Sequence, residues 1–579
     1  MHDTIPLARR ALLRGGALGA GALGLAGLFP AWARTGSHGL AGKTAADVLS
    51  GEEIRLTVEE RAFEVDGRRG HAIAVGGTIP APLIRLREGQ TVRLVVDNRL
   101  GEDTSIHWHG LLVPFEMDGV PGVSFPGIRA HSTFTYEFPV RQSGTYWYHS
   151  HSGLQEQLGH SGPMIIDPAG GDPVAYDREH VIVLSDWSFL HPHRIFSRLK
   201  QEGGFFNRQK ETLLGRRSEA LSREDRQMFA RMRMDPSDIS DVTEAAYTLL
   251  VNGHSPAENW TGLFTPGERV RLRIINAAAQ TTFNVRIPGL PLTFVATDGI
   301  DMRPVEVDEV QIGNAETYDF IVEPRDRAYT LVAESIDRSA MARATLAPRM
   351  GMTAPVPPLR ERPTLGMADM GMGGTDHAAD HRAMGHGSGA MDHSAMDMRD
   401  EARVRFPVGV GVDMIAPAPA DRTGHPGIGL EDVGHRVLTY RDMIQLAPNR
   451  DTRAPTRRID VHLTGNMERF MWSIDGEQLS ESPEPYRFAR GERVRLRLVN
   501  HTMMTHPMHL HGHFFEIVNG HGAHQPMKHT VKVAPGGFVD LDLTADAPGD
   551  WAFHCHLLYH MHAGMMRVVT VRPLDGENA

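Results

Sequence analysis

Three stretches of this 579-residue chain repeat one unit, and that repetition constrains the fold more than any other feature. Glu88-Gly89-Gln90-Thr91-Val92-Arg93-Leu94, Pro266-Gly267-Glu268-Arg269-Val270-Arg271-Leu272 and Arg490-Gly491-Glu492-Arg493-Val494-Arg495-Leu496 each lead to an Asn nine residues after the Gly: Asn98, Asn276 and Asn500. A Gly turn followed by alternating polar and apolar residues predicts a half-buried strand after a loop. Three copies predict three homologous modules, which suits a length too great for one hydrophobic core. Abundant Gly, Pro, Val and Thr with short strands point to antiparallel β-sandwiches, an all-β chain.

A second likeness joins the two ends. Gly144-Thr145-Tyr146-Trp147-Tyr148-His149 and Gly549-Asp550-Trp551-Ala552-Phe553-His554 both carry an aromatic strand from Gly to His. The matching stretch of the middle module, Ala277 to Pro288, has no His, so that module is expected to be a spacer without metal. Residues 196–241 are charged and poor in β-branched side chains, which predicts a partly helical insertion in the middle module. Residues 350–400 are rich in Gly, Met, His and Asp and hold too few large apolar groups for a core. The expected organisation is a first module over 50–168, a second over 175–348, a flexible Met/His-rich segment over 349–402 and a third module over 403–574.

The N-terminus reads Ala8-Arg9-Arg10-Ala11-Leu12-Leu13-Arg14, then a Gly/Ala/Leu run and Ala31-Trp32-Ala33. That pattern is a twin-arginine export signal over residues 1–33 with an A-x-A cleavage site, and it predicts a periplasmic protein. The apolar run falls short of the roughly 20 residues that span a bilayer, so no stable membrane insertion is expected. A net charge of −11 gives no basic surface for nucleic acid. Cys555 is the only cysteine, in a chain bound for a compartment where cysteines normally pair. It is a buried bystander, a ligand or a nucleophile, and its neighbours decide which.

Four histidine clusters carry the chemistry: His107-Trp108-His109, His149-Ser150-His151, His506-Pro507-Met508-His509-Leu510-His511, and His554-Cys555-His556 followed by His560 and Met565. Alternate strand residues share a face, so each H-x-H pair aims two imidazoles the same way. One such pair means little, but four on repeat-related strands point to metal. A zinc site uses three or four ligands and would leave most of these imidazoles idle. Cys555 faces away from His554 and His556, so a single strand serves two metal sites. His506, Cys555, His560 and Met565 then form the His2Cys set with a weak thioether that suits blue copper.

These motifs resemble the multicopper oxidase family along essentially the whole mature chain: H-W-H-G, H-S-H, H-P-M-H-L-H and H-C-H-L-L-Y-H-x-x-x-x-M occur in the family's order. Within it the chain is similar to the three-domain bacterial copper-resistance oxidases of the CopA type, which share the export signal, the Glu116-Met117-Asp118-Gly119-Val120-Pro121-Gly122 stretch and a Met-rich segment before the third domain. The resemblance implies three cupredoxin-like Greek-key domains and four copper ions. His506, Cys555, His560 and Met565 would hold the type 1 copper, and His107 and His509 the type 2. His109, His149, His151, His511, His554 and His556 would hold the type 3 pair. Asp118 matches the family acid that helps deliver protons to oxygen, with an Asx turn at Asp118-Gly119 as the competing explanation. Some cuprous oxidases carry an acid directly after the type 1 His; this chain has Met561 there.

The implied reaction is one-electron oxidation of a donor at the type 1 copper coupled to four-electron reduction of O2 to water. Met503, Met504, Met508, Met561 and Met566, with the Met/His segment, favour Cu(I) as donor in copper resistance, although Met is also a common packing residue. In the segment, Met367, Met370, Met372, Met384, Met391, Met396 and Met398 alternate with His377, His381, His386 and His393. Laccase-like oxidation of phenols or amines, and sequestration of copper by that segment, are the alternatives. A monomer is expected.

Overall fold

The computed structural model describes residue 43 and residues 48–208, 221–232, 234–372 and 398–574; the export signal lies outside them, as does the centre of the Met/His segment at residues 373–397. Three two-sheet domains follow one another. The first pairs a sheet of Arg68–Val75, Glu53–Val65, Thr91–Asn98 and Thr133–Pro139 with a sheet of Ile84–Arg87, Ser161–Asp167, Gly144–His149 and His107–His109. The second packs two six-stranded sheets together, one of which borrows Val437–Leu438 from beyond the domain. In the third, Arg457–Asn466, Glu492–Asn500 and Gly537–Ala545 head one sheet, and Met566–Arg572, Gly549–Cys555 and His506–Leu510 the other.

The repeated unit becomes the same strand in each domain: Thr91–Asn98, Val270–Asn276 and Glu492–Asn500. Its Gly (Gly89, Gly267, Gly491) has a φ of +90°, +87° and +79°, the left-handed turn conformation that favours glycine. Its Asn closes the loop beyond. Asn98 Nδ2 donates to the carbonyls of Ile128 and Arg129, Asn276 Nδ2 to Thr281 and Ile312, and Asn500 Nδ2 to Met504 and Val533. Each Asn side-chain oxygen accepts the amide two residues on, at Leu100, Ala278 and Thr502. A buried amide that satisfies both its ends explains the recurrence at one position.

The alternation in the repeat does not expose the polar face in every domain. In Val270–Asn276 all seven residues are buried. Arg273 reaches Glu179 at 2.8 Å and Asp319 at 3.0 Å, and Glu179 also pairs with Arg85 of the first domain. This arginine face is sealed against the first domain, which a pattern within one strand cannot reveal. A second buried charge group ties the third domain to the second: Lys528 Nζ lies 3.1 Å from Asp298 and 3.2 Å from Glu316.

The insertion contains helices Pro192–Gln201 and Arg223–Met232. The described ends of the Met/His segment are packed rather than free. Arg360 pairs with Glu309 and Glu334, Met367–Met370 forms one 3-10 turn, and Met370 and Met372 are buried beside Met414 and Met503. These methionines find their apolar partners in the insertion and the third domain, which composition within the segment does not show.

Burial alone would raise the Glu179 carboxyl, but Arg273 and Arg85 pull it down from 4.5 to about 2. A depressed folded-state value contributes stability above the unfolded value and loses it as pH falls. Glu179→Gln is therefore expected to cost about 3–5 kcal/mol at neutral pH, because it strands buried arginines. The gap to wild type should narrow as pH falls from about 4.5 towards 2. Denaturant titration of both proteins across that range checks this; a gap independent of pH would contradict it.

Candidate metal centre

The histidine strands pair in the same register at both ends of the chain. His107 lies opposite His149 and His109 opposite Trp147 in the first domain; His509 lies opposite His554 and Met508 opposite Cys555 in the third. Alternation then separates the faces. His509 and His554 point to one side, while Met508 and Cys555 point to the other with His506, which shares the parity of Met508. Trp147 stacks on His149 with centroids 4.3 Å apart.

The two domains bring their imidazoles together. His107 stacks on His511 and His109 on His509, each at 3.9 Å between centroids across the interface. Ligand atoms lie within 4.8 Å of one another in the groups His109/His149/His556, His151/His511/His554, His107/His509/His511 and His109/His509/His529. On the opposite face of the Cys555 strand, His506, Cys555 and His560 form a fifth group. Every member belongs to the first or third domain. All eight cluster imidazoles expected from the sequence are in these groups, with His529 in addition.

The donor set fits a cation. In a neutral imidazole one nitrogen donates and the other accepts. His511 Nδ1 donates to Asp118 Oδ2 at 2.8 Å and His554 Nδ1 to the Cys555 carbonyl at 3.0 Å, yet their two Nε2 atoms face each other at 3.0 Å as bare lone pairs. His149 Nδ1 is held by Glu156 Oε2 at 2.8 Å, and His509 Nδ1 by the His529 carbonyl at 2.7 Å. Nε2 of His107, His149, His151, His509 and His556 has no hydrogen-bond partner although buried. Orphaned buried acceptors are costly, and a metal ion resolves them together. Burial, reinforced by the neighbouring rings, drives His109, His149, His151, His509, His511 and His556 far below the usual imidazole range, so they are neutral and able to bind metal.

The Cys555 group has the same logic with the nitrogens exchanged. His506 Nε2 meets Thr502 Oγ1 at 2.6 Å and His560 Nε2 donates to Asp241 Oδ2 at 2.7 Å, which leaves both Nδ1 atoms facing Sγ at 3.5 and 3.9 Å. Burial pushes the Cys555 thiol far up, so a thiolate there needs a bound cation. Met565 is fully buried, and its carbonyl accepts the Cys555 amide at 3.1 Å. Trp472 stacks on His560 at 3.7 Å.

Asp118 lies at the cluster. Its backbone carbonyl accepts His107 Nδ1 at 2.7 Å and its carboxylate reaches across to His511. The amide of Asp118 ends the Phe115–Met117 3-10 turn on the Phe115 carbonyl, and the Val120 amide, which an Asx turn would bring to the Asp118 carboxylate, donates instead to Ser124 Oγ. Sequence reasoning missed Asp241, Glu156, Trp472 and His529. The carboxylate absent at Met561 is supplied at His560 by Asp241, more than 300 residues away in sequence at the end of the insertion. Its signal in the sequence is nil, whereas His529 stood in plain view in Lys528-His529-Thr530 without an H-x-H partner.

Multicopper oxidase family models match residues 57–170, 178–349 and 452–575. The chain belongs to the multicopper oxidase family. It is 46% identical to a copper resistance protein A homolog of Pseudomonas syringae pv. tomato, over 94% of this chain and 95% of that one. Copper resistance protein A of Escherichia coli is 45% identical over 97% and 99% of the two chains, and L-ascorbate oxidase of Cucumis sativus 26% over 89% and 88%. Among solved structures, Fet3p, a multicopper oxidase that functions in iron import, superposes with a TM-score of 0.62 at 20% identity, covering 90% of each chain. Multicopper oxidases bind copper and couple oxidation of a donor to reduction of O2. No helix among the described residues is long and apolar enough to cross a membrane.

Proposed function

We propose that the chain holds four coppers and oxidises Cu(I) to Cu(II) in periplasmic copper resistance. His506, Cys555, His560 and Met565 would hold the type 1 ion and His107 and His509 the type 2. His109/His149/His556 and His151/His511/His554 would hold the type 3 pair. Copper so bound supplies a one-electron couple at Cys555 and the four-electron chemistry that turns O2 into water. The observation that carries the reading is the strand Gly549–Cys555, in which Cys555 is joined by single peptide bonds to His554 and His556 on the opposite face. Electrons taken at Cys555 thus have a through-bond path to two imidazoles of the cluster. Burial of both groups excludes bulk water from that path.

Asp118 is the residue we assign to proton delivery. Its carboxylate fixes the His511 tautomer so that Nε2 faces the cluster, and its second oxygen, buried, without a hydrogen-bond partner and 3.3 Å from His107 Nδ1, is placed to pass a proton at the cluster. Asp118→Asn should slow reoxidation of the reduced enzyme by about 100-fold while type 1 reduction keeps its rate. Stopped-flow traces of each half-reaction check this; equal slowing of both would assign Asp118 to structure alone.

The choice of Cu(I) over an organic donor rests on a cavity of about 490 Å3 whose walls include Met232, Met234, Met467, Met503, Asp413 and Glu468. Thioethers bind Cu(I) and carboxylates attract a cation. Burial raises the Asp413 carboxyl to about 6, and the acidic lining residues Glu202, Asp235, Asp238, Asp413 and Glu468 outnumber the basic Arg399 and Arg469. Of its lining residues, Met503 lies three positions before His506 in the chain, and Met467 five before Trp472, which stacks on His560. Oxygen uptake with Cu(I) and with a phenol, side by side, tests the reading. Met232→Leu/Met467→Leu should raise KM for Cu(I) about tenfold, one lost interaction of roughly 1.4 kcal/mol, and leave phenol oxidation unchanged. Equal effects on both donors would favour an organic substrate, and uptake limited to one electron per bound copper would leave sequestration as the function.

A further inference from the structure

We infer that His529, with His109 and His509, forms a hand-over position through which copper reaches the type 2 site. This rests on the assignment of His107 and His509 to that site. His529 is buried, lies outside the eight imidazoles of the cluster, and has an Nε2 without a hydrogen-bond partner. Its ligand atom lies within 4.8 Å of those of His109 and His509, as the ligand atoms of the two triads assigned to the type 3 pair lie within 4.8 Å of one another. Its ring meets both others edge-on, with centroids 4.9 Å from His109 and 5.3 Å from His509.

Neither ring nitrogen of His109 has a hydrogen-bond partner, so either one can carry its single lone pair. As a neutral imidazole it serves one triad at a time, that with His149 and His556 or that with His509 and His529. His509 is different. Its Nδ1 is committed to the His529 carbonyl at 2.7 Å and to Thr530 Oγ1 at 3.2 Å, so Nε2 is its only ligand atom. The type 2 ion needs that same Nε2. Occupancy of the His529 triad and of the type 2 site therefore exclude each other, and the triad is a place an ion passes through rather than a fifth store. Three neutral imidazoles suit Cu(II), and His509 is common to this triad and to the type 2 pair.

The position is built into the backbone. Asp298 of the second domain accepts the amides of His529 and Thr530, both at 3.2 Å, and Thr530 Oγ1 meets His529 Nδ1 at 3.1 Å. Opposite, a Cβ on Gly110 would fall 2.3 Å from His529 Nε2, and Gly110 has a φ of +83°. The glycine that ends the H-W-H-G motif is thus what leaves room for this ring.

The test is reconstitution of metal-free full-length protein with Cu(II), followed by freeze-quench electron paramagnetic resonance together with visible absorption. In wild type a transient Cu(II) signal with three-nitrogen hyperfine structure should precede the type 2 signal. In His529→Gln that transient should vanish and the type 2 signal should appear at least tenfold more slowly, while the absorption from Cys555 grows at the wild-type rate and final copper content is the same. A type 2 signal that forms at the wild-type rate in the variant would overturn the inference. So would permanent loss of type 2 copper, which would make His529 a resident ligand or support. If His529→Gln does not fold, the wild-type experiment decides alone: direct formation of the type 2 signal with no precursor contradicts the hand-over. A wild type that never develops a type 2 signal would instead remove the site assignment on which the inference stands.

Discussion

The two-residue period of one β-strand is the constraint on which the rest of this molecule depends. Because His554 and His556 must face away from Cys555, two chemically different pockets share a wall one peptide thick. Each pocket then recruits what its chemistry needs. On one face the thiol meets two Nδ1 atoms within 3.9 Å. On the other, imidazoles from two domains turn their orphaned nitrogens inward. The pleat decides which residue type goes to which side, and it does so before any tertiary contact is made.

The second domain contributes no residue to these groups, yet it governs their geometry. Asp241 fixes His560 and Asp298 fixes the strand beside His509. The buried Arg85–Glu179–Arg273 and Asp298–Lys528–Glu316 groups clamp the first and third domains to the second. Buried charges are a poor source of stability but strongly penalise misalignment, since a shifted partner leaves an unpaired charge. Such clamps suit a protein whose cluster spans an interface and tolerates little displacement.

Much of this was legible in the sequence because its causes are local. The Gly turn and closing Asn of each repeat act within a few residues, and the H-x-H pairs act through strand alternation, so three domains and the clustered imidazoles follow from short windows. What was not legible arrives from afar. Asp241 reaches His560, Trp472 covers it, and Arg273 is buried by a neighbouring domain; none of these carries a periodic or motif signal. The segment at 349–402 illustrates the same limit. Its composition predicts too few apolar groups for a core, but Met370 and Met372 are buried by partners elsewhere in the chain. His529 was passed over because it lacks an H-x-H companion, although three dimensions give it two.

The central claim is that Cys555 belongs to one metal site and its two neighbours to another. Replacing Cys555 with Ser tests it most directly, with copper content, visible absorption and magnetic resonance measured on the same sample. The account predicts loss of the copper–thiolate absorption and of oxidase activity, a fall of about one copper per chain, and a type 2 signal unchanged from wild type. Retained absorption, or loss of the cluster coppers together with the type 1 ion, would contradict it.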